Sequence, residues 1–146
     1  MNRRPVYFAA LLAMLFAASC YSSNYRREML ASVSLVSQLS DKLTDYCRAD
    51  FKVRDHVLSS EEMGEFYYGL QKARAFDAMT AKRSGSQESA AAFSRLVASY
   101  ADFVSDADRY RLDPSHTQIQ LDALLKDHDI VGKRADEVRQ ALAKDR

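Results

Sequence analysis

Apolar residues recur every three or four positions through most of this chain, and that period restricts the fold more than any other feature. It is clearest after position 88, where the apolar residues on one side of a helix are Phe93, Leu96, Val97, Tyr100, Phe103, Val104, Ala107 and Tyr110. Such a stripe is typical of an amphipathic α-helix. Only four glycines and two prolines occur in 146 residues, which argues against a sheet-rich fold with many tight turns. The sequence therefore predicts an all-α protein.

The same period predicts two helices before this stripe. The first is expected over residues 26–48, followed by an extended connector or a short strand over 49–58. Ser59 and Glu62 then have the spacing of a capping box, in which each side chain accepts a hydrogen bond from the other residue's backbone amide. A second helix is therefore expected to begin there and to end near Arg83.

Two further helical segments follow residue 111. Asp113 is expected to cap a short helix with Pro114 in its first turn, and Gly132 is expected to close it before a last helix. Short breaks between long helices favour antiparallel neighbours. We therefore predict an up-and-down bundle of four helices plus a short fifth element, preceded by an N-terminal signal or anchor helix.

The first nineteen residues have the order of a secretory signal. Arg3 and Arg4 give a positive start, and the run from Val6 to Phe16 is almost entirely apolar. With the small residues that follow, this run reaches some fifteen residues, fewer than the roughly 20 that a helix needs to cross a bilayer. A retained membrane helix and a plain secretory leader cut near Ala18 are the alternatives to the interpretation given next.

The stretch Ala17-Ala18-Ser19-Cys20 resembles the lipobox of bacterial lipoproteins, with Ala17 where that class most often has leucine. The resemblance covers residues 1–20 and implies cleavage before Cys20, a diacylglycerol on its sulfur and an acylated amino terminus. Two acyl chains anchor a protein stably where one does not. Tyr21, rather than aspartate, implies the outer membrane in enteric-type sorting, with the protein facing the periplasm. The predicted organisation is a signal peptide over 1–19, a lipidated tether over 20–25 and one helical domain over 26–146.

The sequence offers little for catalysis or cofactor binding. Lys and Arg number 21 against 20 Asp and Glu, a balance without the clustered positive charge that nucleic-acid binding needs. None of His56, His116 and His128 has a second histidine at helical spacing, and neither HExxH nor paired CxxC occurs. We predict no metal, no cofactor other than the lipid on Cys20, and no enzymatic activity. His128 is expected to be a half-buried histidine with a hydrogen-bond partner.

Two residues on predicted apolar faces are given structural roles. Cys47 is expected to be a buried thiol, with a disulfide to another protein, or to an unlipidated Cys20, as the alternative. Asp77 lies on the core face of the second helix, where Arg74 or Arg83 is expected to neutralise it. A functional carboxylate is the alternative.

A candidate partner-binding patch remains. Tyr68, Phe76 and Met79 lie off the core face of the second helix, and aromatic and methionine side chains are common at protein interfaces. The alternative is that a neighbouring helix or the Phe51 connector covers them.

We therefore expect a non-enzymatic interaction or assembly factor for an envelope complex, bound to membrane lipid and to an unidentified envelope protein. In size, helical content and predicted lipidation alone, the protein resembles secretin pilotins, and no residue is carried over from them. A partner peptide is expected to dock as an amphipathic helix in a groove. The alternative function is an accessory structural subunit whose leader is retained as a transmembrane anchor.

Overall fold

Four α-helices, and no strand, make up the residues that the computed structural model describes. The backbone is described over residues 4–53, 58–82 and 87–145, and the side chains over 24–52, 58–82 and 88–145. In chain order the helices are α1 (Arg4–Val53), α2 (Ser60–Thr80), α3 (Gln87–Leu112) and α4 (Gln118–Lys144). The all-α prediction is confirmed.

The chain divides into two compact units, Met1–Ala31 and Ser32–Arg146. In the first unit, which α1 forms from Arg4 onward, the Arg27 guanidinium donates a hydrogen bond to Asn24 Oδ1 at 3.3 Å. Residues 20–25, which were predicted to form the lipidated tether, are helical and belong to α1. The predicted leader lies outside the residues whose side chains are described. No helix within the described residues is long and apolar enough to span a membrane.

The second unit packs the rest of α1 with the other three helices, and its contacts connect each helix to two neighbours. Two contacts at each interface fix the directions of the helices, because residue numbers rise along one helix as they fall along the next. These contacts are Leu39 with Gly69 and Tyr46 with Phe66, Phe76 with Phe93 and Tyr67 with Asp108, Glu88 with Lys144 and Phe103 with His128, and Asp41 with His128 and Ser37 with Arg139. The second unit is therefore a helical bundle with antiparallel neighbours.

Aromatic side chains fill much of the core of the second unit. Every residue of the predicted stripe on α3 is buried, so that prediction is confirmed. Tyr100 is fully buried, and its hydroxyl donates to the Phe66 carbonyl oxygen at 3.4 Å. Burying a large apolar side chain stabilises a fold by about 1.5–3 kcal/mol, so this stripe holds α3 in the bundle.

The capping box predicted for α2 is present. Ser59 Oγ accepts from the Glu62 amide at 3.1 Å, and Glu62 Oε2 accepts from the Ser59 amide at 2.8 Å. The helix ends at Thr80, earlier than the predicted Arg83. The capping box gives hydrogen-bond partners to two of the four amide donors at the start of α2, those of Ser59 and Glu62.

The connector predicted over 49–58 is partly wrong, because α1 continues to Val53. Asp50 is 1% exposed, and its Oδ2 accepts from the backbone amide of Leu58 at 3.0 Å. The inward-facing carboxylate of Asp50 thus joins the end of α1 to the chain that leads into α2. Asp50 is therefore buried on a regular helix, where the Leu58 amide is its hydrogen-bond donor.

The short fifth element is also wrong, because α4 runs through Gly132 without a break. A glycine inside a helix costs about 1 kcal/mol, and the burial of Val131, Ala135 and Val138 on the same helix outweighs that cost. The helix is capped by Thr117, not by Asp113.

The turn before α4 explains the change of cap. Thr117 Oγ1 accepts from the Gln120 amide at 3.3 Å, and Gln120 Oε1 accepts from the Thr117 amide at 2.7 Å. Asp113 instead accepts from the Ser115 amide at 2.9 Å and from Gln120 Nε2 at 2.6 Å. Asp113 therefore shapes the turn, whereas Thr117 begins the helix.

Candidate partner-binding surface

The structure separates the three residues of the predicted patch. Tyr68 is 58% exposed and Met79 is 54% exposed, whereas Phe76 is 8% exposed. The Phe76 ring packs edge-on against Phe93 of α3, with the ring centroids 5.4 Å apart. The prediction that Phe76 lies on the surface is wrong, because α3 covers that side of α2. Tyr68 and Met79 remain exposed, and their role in binding remains a prediction.

One row of exposed residues follows the outer side of α2. Its members are spaced three or four positions apart, so they lie on one face of the helix. They are Gly64, Tyr68, Lys72, Ala75 and Met79, and we call this row the α2 ridge. Lys72 Nζ lies 4.5 Å from the centroid of the Tyr68 ring, a cation–π contact that restricts the tyrosine side chain.

The two glycines of α2 have different surroundings. A Cβ built on Gly69 would overlap Cδ1 of Leu39 and lie 3.7 Å from Tyr100 Oη, so α1 approaches closely there. A Cβ on Gly64 would meet nothing within 4 Å. Gly64 therefore leaves a shallow, open place on the ridge, and no described neighbour fills it.

The exposed charged residues in the carboxyl-terminal half of α2 and just after it are all basic. Between Tyr68 and Lys82, the exposed charged residues are Lys72, Arg74 and Lys82. The acid in this segment, Asp77, is only half-buried, and its Oδ1 accepts from Ser94 Oγ at 2.5 Å. The hydrogen-bond partner of Asp77 is thus the Ser94 hydroxyl of α3. Arg83, one of the two cations expected to neutralise it, lies outside the described residues.

The three consecutive aromatics of α2 are used in three ways. Phe66 is fully buried, with the Tyr46 ring edge-on to it at 6.1 Å. The Tyr67 hydroxyl donates to Asp108 Oδ2 at 2.9 Å, and burial, followed by the Asp108 carboxylate, raises the pKa of Tyr67. Of the three side chains, Tyr68 is the one that projects furthest from the bundle.

His128 and Cys47 have the surroundings that the sequence predicts. His128 Nε2 is 2.7 Å from Asp41 Oδ1, and its side chain is 27% exposed, so the expected half-buried histidine with a partner is confirmed. Cys47 is free and 1% exposed. Burial, with a smaller effect of Asp50, raises the pKa of the Cys47 thiol to about 12. The buried-thiol prediction is confirmed. The side chain of Cys20 is not described, and its lipidation remains a prediction.

A cleft of about 210 Å³ lies between α3 and α4 and was not predicted. Tyr110 and Leu124 contribute apolar surface to it, and Asp106 and Asp127 contribute carboxylates. Burial, and then repulsion from Asp106 and Asp102, raises the pKa of Asp127. Within the part of the chain that the structure describes, no three histidine, cysteine or acidic side chains are grouped so that they could hold a metal ion.

Comparison with known proteins adds no functional assignment. No protein-family model, no curated protein and no solved structure matches this chain. The α2 ridge is the surface on which a candidate function can be argued from residue chemistry alone.

Proposed function

We propose that this protein is a membrane-anchored, non-enzymatic helical lipoprotein that faces the periplasm and serves as an adaptor or assembly factor for an envelope complex, in the manner of a pilotin. The lipid on Cys20 would hold it at the membrane. The bundle would act as a rigid support, and the α2 ridge would bind the partner. No cofactor or nucleic acid takes part.

The exposure of Tyr68 and Met79 on one row of α2 is the observation that carries this proposal. Large apolar side chains in this bundle are mostly buried, as on α3, and these two instead lie three helical turns apart on the same outer face. Exposed apolar residues that stand singly need no explanation. A row that combines them with a basic residue and two small residues is better suited to contact another protein.

The docking part of the proposal is tested with paired alanine variants. We expect Tyr68→Ala with Met79→Ala to lower capture of the envelope partner after crosslinking in intact cells by at least about ten-fold, the size of effect that truncating two interface anchors produces. Helicity and melting temperature should change little, because both side chains are exposed. Leu112→Ala with Ile119→Ala is the matched control, since those side chains are 66% and 81% exposed. Equal capture by all variants would remove the ridge from the proposal.

The anchoring part is tested separately on Cys20. We expect labelled palmitate to enter the wild-type chain, and Cys20→Ser to abolish the label and to leave the leader uncleaved. A chain that carries no lipid in the wild type contradicts the lipoprotein assignment, whatever the ridge does.

A second candidate function is an accessory structural subunit. Its leader, with the apolar run from Val6 to Phe16, would be retained as an anchor. Mass spectrometry of the intact chain distinguishes the two, because a mature mass that begins at Cys20 with added lipid supports the lipoprotein, and a mass that retains residues before Cys20 supports the anchor.

A further inference from the structure

We propose that the α2 ridge binds an acidic amphipathic helix of the partner protein. This inference rests on the proposed function and names the chemistry of the segment that the ridge would bind. The occupant is one helix of three to four turns, with apolar side chains on one face and Asp or Glu along its edge.

The shape of the ridge fits a helix lying along α2. Tyr68 and Met79 are separated by about 16 Å at the 1.5 Å rise of an α-helix, which is the length of three turns. Between and beside them the ridge has small residues, Ala75 and Gly64, and the space around Gly64 is open. Small residues let two helices approach closely, while the larger side chains on either side fill the grooves of the partner helix.

The charge of the ridge selects an acidic partner. Lys72, Arg74 and Lys82 are exposed, and no exposed acid accompanies them between residues 68 and 82 of the described chain. Carboxylates along the edge of a docked helix would lie within reach of Lys72 and Lys82, whereas Arg74, six positions from Tyr68, lies about 120° around α2 from the ridge. Complementary charges at an interface raise the association rate and exclude partners of the wrong sign.

The same ridge suits a flat anionic membrane less well. Beside its amino-terminal end, α2 exposes the acidic residues Glu61 and Glu65, of which Glu65 accepts from Lys42 Nζ at 2.6 Å. A lipid surface lying along the whole of α2 would face these carboxylates as well as the lysines. A helix can place its own acids opposite Lys72 and Lys82 alone.

The test places a photo-crosslinking amino acid at Met79 in the full-length chain in cells. We expect an adduct to a protein segment that is acidic and helical, identified by sequencing the crosslinked peptide. Lys72→Glu with Lys82→Glu should lower the adduct yield about five-fold, as expected for two surface ion pairs of moderate strength. Lys52→Glu with Lys133→Glu, which reverses two exposed lysines of other helices, should leave the yield unchanged.

A second measurement uses the purified lipoprotein in detergent and two synthetic helical peptides. The first has leucine on one face and glutamate along the edges, and the second is identical except that lysine replaces every glutamate. We expect the glutamate peptide to bind and the lysine peptide to bind at least about five-fold more weakly, with the order reversed for Lys72→Glu with Lys82→Glu.

Each outcome decides between the two proposals. A protein adduct at position 79 that is insensitive to reversal of the lysines overturns the acidic-helix inference and leaves the docking function standing. An adduct to phospholipid, or none, overturns the inference and the ridge together. Palmitate labelling of Cys20 is unaffected by any of these results and tests the anchor alone.

Discussion

Leu39 and Gly69 show at the residue scale how closely α1 and α2 approach. Leu39 is 7% exposed, and its side chain occupies the space that a Cβ on Gly69 would need. Tyr100 Oη borders the same place. The absence of a side chain at position 69 is thus a requirement of the packing, whereas Gly132 has open space around it.

Replacing Gly69 with alanine should destabilise the fold. Leu39 would have to move within a filled core, and overpacking of this kind costs about 1–3 kcal/mol. Urea unfolding of the purified chain measures the free energy of unfolding. Gly132→Ala is the control and should stabilise α4 by up to about 1 kcal/mol, because it improves helix propensity in open space. Equal stability of Gly69→Ala and the wild type would contradict the close approach of the two helices.

Cys47 should be chemically inert in the folded chain. The thiolate is the reactive form, and burial raises the pKa of this thiol to about 12, so little thiolate exists at pH 8. We expect negligible reaction with iodoacetamide over an hour and full reaction in denaturant, both followed by mass spectrometry. Rapid labelling of the native chain would show that the site is accessible. A dimer band that disappears on reduction would instead support the disulfide alternative.

At the element scale, hydrogen bonds at helix ends decide where α2 and α4 begin. Ser59 and Thr117 occupy equivalent positions, each with a capping partner three residues later. The capping partner is a glutamate in the first pair and a glutamine in the second. Both pairs satisfy amides that would otherwise have no partner at the helix end.

Removing the cap of α4 should cost stability. We expect Thr117→Ala to lower the free energy of unfolding by about 1 kcal/mol, since it removes the acceptor for the Gln120 amide. Ser115→Ala in the same turn is the comparison and should have a smaller effect, because its backbone amide makes the short bond to Asp113 at 2.9 Å and its hydroxyl donates to Gln120 Oε1 only at 3.4 Å. Thermal melts followed by circular dichroism compare the two variants.

Features fixed by nearby residues were predictable, and features fixed by distant ones were not. The capping box at Ser59 and the apolar stripe of α3 depend on spacing within one helix. The burial of Phe76 depends on where α3 packs, and Asp50 faces inward because Leu58 supplies a donor. Gly132 favours a helix break locally, but the burial of residues on either side of it outweighs that preference. Tyr68, Phe76 and Met79 all lie off the predicted core face of α2, so this criterion alone did not distinguish the two exposed residues from the buried Phe76.

On the scale of the whole second unit, charge is distributed unevenly along the helix axes. The half with the α3–α4 turn comprises residues 40–52, 58–69 and 101–130, with thirteen acidic and six basic residues. The other half comprises residues 32–39, 70–82, 88–100 and 131–145, with eight basic and five acidic residues. The chain is close to neutral in total, and the second unit nevertheless has an acidic end and a basic end.

Neutralising one acid of the acidic half should stabilise the fold. The pKa of Asp127 is raised by burial and by Asp106 and Asp102, so the ionised form is less favourable in the folded chain than in the unfolded chain. We expect Asp127→Asn to raise the free energy of unfolding at pH 7 by a few tenths of a kcal/mol, a small value because the site is largely solvated.

The pH dependence of that effect has a definite sign. As the pH falls through the raised pKa of Asp127, the folded wild type takes up the proton and its disadvantage declines. The two chains should therefore converge as the pH falls below the ordinary pKa of an aspartate, about 3.9. Added salt should also reduce the difference. Asp45→Asn, which removes an exposed carboxylate of α1, is the control for the loss of one charge. A gap that widens in acid would contradict the assigned repulsion.

The antiparallel packing of α1 has a mechanical consequence. In the second unit α1 is joined to α2 by Lys42 with Glu65 and to α4 by Asp41 with His128, and the buried side chains of Leu43 and Cys47 follow along the same helix. A pulling force applied to α1 at Ser32 along the axis of this helix would load these contacts together in shear instead of peeling them apart one by one, so that α1 would resist being drawn out of the bundle.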